Sequence, residues 1–189
     1  MPLLNNAAIL LLLITPLVTM RLIAEERRNE SLPLLLSAPL PICEIVLGKF
    51  LGTFSFLMIL LLLITLMPVS LSLGSHIDFG LIASGFVGLT LLLASFTAIG
   101  LYLSSLTKQP TIAAMTTFSS LFLLWIIDWA GNSQTVGESS GLFSWLSLLR
   151  HYQPFLQGEV HSSDISYYLI VSITFLILTV RRLDSERLT

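Results

Sequence analysis

Residues 21–49 read RLIAEERRNESLPLLLSAPLPICEIVLGK, and an apolar run of membrane-span length lies on each side. This segment holds four of the chain's nine basic residues (Arg21, Arg27, Arg28, Lys49) and four of its eleven acidic ones (Glu25, Glu26, Glu30, Glu44). Each such charge at mid-bilayer would cost roughly 2.5–3.5 kcal/mol. The segment must therefore lie in water between two spans.

Composition sets the same frame. The 189 residues are 54% hydrophobic and 11% charged, with a mean hydropathy of +0.90. Soluble domains are about 25% charged, so the chain reads as a membrane protein. A net charge of −2 without a basic patch gives no sign of a nucleic-acid partner. The lone Cys43 excludes an internal disulfide and reads as a small spacer.

Working outward, the expected architecture is all-α and polytopic, one transmembrane domain over residues 1–189. Spans are predicted at about 2–20, 50–73, 80–106, 111–127 and 165–180, lengths suited to crossing about 30 Å of hydrocarbon, with the last on the short side. The first lacks a basic leader and a small-residue cleavage site, so it reads as a retained helix. Pro16 within it is tolerable where neighbouring helices satisfy the freed backbone.

Basic residues set an expected orientation. Arg21, Arg27, Arg28, Lys49, Lys108, Arg181, Arg182 and Arg187 follow the first, third and fifth spans or precede the second, and Arg150 alone falls in the opposite loops. By the positive-inside rule the first set is cytoplasmic. Trp125, Trp129, Trp145, Tyr152, Tyr167 and Tyr168 are then expected at the outer interface. The N-terminus falls outside, which suggests a span upstream.

The third span carries small residues four apart at Gly80, Ser84 and Gly88, continued by Gly100 and Ser104. Such rows let helices approach closely in lipid, either within one subunit or between two. No ionisable residue is expected deep in a span, which argues against a proton-driven transporter. Enzyme motifs fail on inspection. Gly48-Lys49 matches the end of a phosphate-binding loop, but Cys43 and Phe50 occupy the required Gly and Ser/Thr positions. Ser84 has no histidine within a span to act as base, and His76, His151 and His161 lack metal-ligand spacing. No catalytic residue, metal or directly bound cofactor is expected.

Gly141–Gly158 (GLFSWLSLLRHYQPFLQG) is apolar but too short to span, so an interfacial or re-entrant helix is expected at the outer side. A cap over the bundle is the plainer reading, and an outer gate or docking surface the sharper one.

Within residues 21–49, Arg21–Arg28 can extend the first helix. Ser31 is a good N-cap and Pro33 suits a first helical turn. Leu32, Leu34, Leu35 and Leu36 form an apolar knob before Pro39 and Pro41. Plain connections need 2–8 residues, and exposed apolar knobs with mixed charge mark protein partners.

These residues resemble a known family. Thr19-Met20-Arg21, Glu25-Glu26-Arg27, Ser31-Leu32, Leu35-Leu36-Ser37-Ala38-Pro39 and Glu44-Ile45-Val46-Leu47-Gly48-Lys49 are similar to the ABC-2 type permeases of ABC transporters. The nearest likeness is to the gliding-motility (GldF-like) and nitrous-oxide-reductase maturation (NosY-like) branch. Gly100-Leu101, Ser104-Ser105-Leu106-Thr107-Lys108-Gln109, Gly158-Glu159-Val160, Ser163-Asp164 and Tyr167-Tyr168 extend it in order along the chain.

The resemblance implies six spans, the first missing here, and a bacterial inner-membrane location. It makes residues 21–49 a coupling helix docked on a separate ATPase that binds ATP and Mg. Glu25, Glu26, Arg27, Arg28, Ser31, Leu32, Leu34, Leu35 and Leu36 would be the docking residues. A second permease subunit, and an auxiliary protein outside the membrane, would complete the partners. Exporter-type transport is the implied function, and a non-transporting scaffold driving an extracytoplasmic machine is the alternative. Glu30 departs from the family's usual glycine and Pro33 from its usual glutamate.

Overall fold

Helices bathed in lipid satisfy every backbone group internally and need no single apolar stripe. The computed structural model describes residues 2–31, 41–72, 79–132 and 147–187, and all regular structure in them is helical. The helices are α1 (Pro2–Thr19), α2 (Ala24–Arg28), α3 (Ile42–Ser72), α4 (Phe79–Leu106), α5 (Pro110–Asn132), α6 (Gln153–Leu156) and α7 (Ser162–Arg187). Five stretches of the described chain are long and apolar enough to cross a membrane. The chain is a multi-pass helical membrane protein.

Three helix bounds differ from the sequence expectation. The second membrane helix starts at Ile42, not Phe50, so the last part of the 21–49 segment is helix rather than loop. Pro41 precedes its first turn, the Glu44 amide donates to the Pro41 carbonyl, and the Glu44 carboxylate suits the positive helix end. The fourth runs to Asn132, past the expected end at 127. The last continues to Arg187, so the tail expected after Val180 is largely helical, with Arg182 and Glu186 paired across one turn.

α4 is the central helix. It touches α1, α3, α5 and α7, and most of its residues are buried. Leu89, Leu92, Leu93 and Phe96 join Leu4, Leu11, Leu57, Leu61 and Leu121 in one core cluster. α3, α5 and α7 form the rim, with Leu51, Ile59, Leu63, Met115, Leu123 and Ile170 turned outward. That suits a lipid surround.

Buried hydroxyls within the helices are largely satisfied by their own backbone. Thr15, Thr19, Thr117 and Thr179 each donate to the carbonyl four residues back at 2.6–2.8 Å. Leaving such a group unpaired would cost about 1–3 kcal/mol.

At the end opposite the basic residues, residues 147–158 re-enter the bundle. Tyr152 and Phe155 are fully buried there. The Tyr152 hydroxyl donates to the Leu4 carbonyl at 3.1 Å, and Ser84 donates to the Phe155 carbonyl at 2.8 Å. His151 Nδ1 lies 2.6 Å from Asp164 at the start of α7, with its ring stacked on Tyr167. Tyr168 is buried and donates to the Leu148 carbonyl. Tyr152 and Tyr168 thus sit inside the protein at that end, each hydroxyl meeting a backbone carbonyl. Residues 141–146 of the expected outer helix, Trp145 included, lie outside the described residues.

Candidate docking site at the basic end

α1 ends at Thr19 and the chain turns through Met20–Ile23 before α2, so Arg21–Arg28 does not simply extend the first helix. Ser104 of α4 organises this elbow. Its Oγ accepts the Ile23 and Ala24 amides at 3.2 Å each and donates to the Met20 carbonyl at 3.1 Å. One hydroxyl thereby satisfies three backbone groups that the helix break leaves open.

One helical turn earlier, Gly100 lets α1 approach. A Cβ there would lie 2.8 Å from Thr19 Cβ and nearer still to its Oγ1. Gly88 serves the opposite end, where a Cβ would lie 2.7 Å from Phe155 Cβ. The small-residue row accordingly splits. Ser84, Gly88, Gly100 and Ser104 face contacts within the chain, while Gly80 is exposed with open space around it. Gly85, outside the four-residue spacing, faces Leu4.

The four charges of α2 also divide. Lys49 of α3 donates to the Leu22 carbonyl at 2.6 Å and to the Glu26 carboxylate. Arg27 Nη2 donates to both carboxylate oxygens of Glu186 on α7, at 2.7 and 2.6 Å. The Arg27 side chain is only 10% exposed and is held by Glu186. Arg28 is exposed and Glu25 half-buried. Glu26 and Arg27 hold α2 against two spans, and Ser104 holds it against a third.

α2 closes in a left-handed turn. Glu30 has φ +56°, the single described non-glycine residue in that region, and the Ser31 amide donates to the Glu26 carbonyl at 3.0 Å. Such helix ends favour glycine. Ser31 Oγ also donates back to the Glu26 carbonyl, so its hydroxyl closes α2. Leu32, Leu34, Leu35 and Leu36 lie outside the described residues.

The sequence gives no sign of the contacts made by Thr19, quoted above only within the family resemblance, or by Glu186, which follows the last predicted span. Neither carries a local signal, because each partner is far along the chain.

A central helix stitched to an elbow and ringed by helices with outward apolar faces defines a packed helical membrane component. The family model described as ABC-2 family transporter protein matches residues 6–182. The chain belongs to that family and is a membrane permease component of an ABC transporter. The family implies, in general, an ATPase partner and dimerisation. No curated protein and no solved structure matches the chain.

Proposed function

We propose that this chain is an exporter-type permease subunit of the GldF-like and NosY-like branch, in a bacterial inner membrane with its basic end cytoplasmic. Residues 21–49 dock a separate ATPase, which binds and hydrolyses ATP with Mg, and two permease subunits complete the assembly. The observation carrying this reading is the elbow, where Ser104 holds the backbone of Met20, Ile23 and Ala24. Lys49 and Glu186 tie the same short helix to α3 and α7. A push on α2 therefore reaches four spans at once, as a coupling element requires.

The non-transporting scaffold is supported by a different observation. Rim helices present leucine, isoleucine and phenylalanine outward, and the threonines above turn their hydroxyls to their own helix. A wet pathway would need a polar face. Co-expression with the candidate ATPase, followed by mass measurement of the complex in mild detergent, tests the proposal. Two permeases with two ATPases is the expected mass; a monomer that retains no ATPase despite full expression of both contradicts it.

A further inference from the structure

A groove of about 530 Å³ opens at the basic end between α2 and the α4–α5 turn, lined by Arg27, Arg28, Glu30, Lys108, Gln109 and the first residues of α5. We propose that this groove holds the phosphate headgroup of an anionic phospholipid from the adjoining leaflet, with acyl chains laid along α5.

Charge favours an anion. Three cations line the groove against one carboxylate, Glu30. Glu186 compensates Arg27, but Arg28 and Lys108 have no ion-pair partner among the described residues and both are exposed. The buried Arg27 Nε has no hydrogen-bond partner either. Thr111 brings the start of α5, where the first amides lack intrahelical acceptors and attract negative charge.

Position favours a lipid. Lys108 lies in the short Thr107–Gln109 link between two helices long and apolar enough to cross a membrane, where the chain leaves the apolar spans. From Thr111 an exposed stripe runs down the same face of α5 through Met115, Phe118 and Phe122. Phe118 and Phe122 stack with ring centroids 5.6 Å apart. A soluble phosphate would use the cations and leave this stripe idle, whereas an acyl chain covers it.

The experiment titrates the purified full chain in mild detergent with phosphatidylglycerol, phosphatidylcholine or glycerol phosphate, counting bound molecules by native mass spectrometry. Phosphatidylglycerol should be retained preferentially. Each cation near a membrane surface contributes about 1 kcal/mol, so Lys108→Gln should weaken retention about fivefold and Arg28→Gln/Lys108→Gln about thirtyfold. Arg181→Gln, at the same end but outside the groove, should leave it unchanged. A thermal melt confirms that each variant is folded; if the double variant is not, the single Lys108 change decides. Equal retention of phosphatidylcholine overturns the proposal, as does a loss in Arg181→Gln equal to that in Lys108→Gln. Competition by glycerol phosphate as effective as lipid would assign the groove to free phosphate and overturn the lipid. Undiminished lipid retention by the double variant overturns the proposal by itself, and accompanying loss of a co-expressed ATPase would make the groove a protein-docking surface.

Discussion

Arg27 on α2 grips Glu186 near the end of α7, so the charged segment after the first span is fastened to the last helix of the chain. The pair is largely shielded, with 10% and 28% of the two side chains exposed. Removing one partner leaves the other charge poorly solvated. Arg27→Met and Glu186→Gln should each lower thermal stability, and the double variant should lose less than their sum. A double-mutant cycle should give a coupling of about 0.5–3 kcal/mol. Strict additivity would show that the contact contributes nothing.

Glu30→Gly tests the closing turn of α2. A left-handed conformation costs a residue with a side chain about 1–2 kcal/mol, partly offset by the greater freedom of glycine in the unfolded chain. The variant should gain about 0.5–1 kcal/mol in a reversible melt. The same position is where the family resemblance leads one to expect glycine. A loss of stability would mean that the Glu30 carboxylate is doing something the backbone does not require.

Gly100 and Gly80 should behave oppositely although both belong to one small-residue series. Gly100→Ala places a methyl against Thr19 and should cost about 1–3 kcal/mol. Gly80→Ala meets nothing within 4 Å and should be neutral or gain up to about 1 kcal/mol in melting experiments. Equal responses would contradict the described α1–α4 contact.

Tyr152 predicts a pH effect. Burial pushes its phenol above the ordinary value of 10.0, so the folded chain holds the proton more tightly than the unfolded one. The stabilisation is complete below about pH 10 and is lost as pH rises from there through the folded value. Unfolding measured from pH 8 to 11 should show stability falling above about pH 10, less steeply in Tyr152→Phe. At neutral pH that variant should be weaker by about 1 kcal/mol, having lost the donor to the Leu4 carbonyl.

Hydropathy alone places the five spans and the polar segment between the first two, because membrane insertion depends on length and charge. Exact ends depend on finer matters: Ile42 begins α3 because Pro41 and Glu44 suit a helix start, and the charged tail stays helical through an intrahelical pair. The site is less legible. Four-residue spacing picks out Ser84, Gly88, Gly100 and Ser104 but includes Gly80 and misses Gly85, because an all-round apolar helix carries no amphipathic stripe to set which face turns inward. Similarly, sequence groups Glu25, Glu26, Arg27 and Arg28 as one charged cluster. Only the fold brings Lys49 to Glu26 and Glu186 to Arg27.

If residues 21–49 pass an ATPase's motion to the bundle, Leu35→Asp should break the link. A knob leucine buried against a partner contributes about 1–3 kcal/mol, whereas the half-buried Glu25 should contribute about 0–1 kcal/mol. Recovery of the co-expressed ATPase with the permease is measured for Leu35→Asp and Glu25→Ala, with a melt of each permease as control. Leu35→Asp should lose the ATPase while its melting temperature holds, and Glu25→Ala should retain it. Full ATPase recovery and activity with Leu35→Asp would make the segment an ordinary connection and contradict the account.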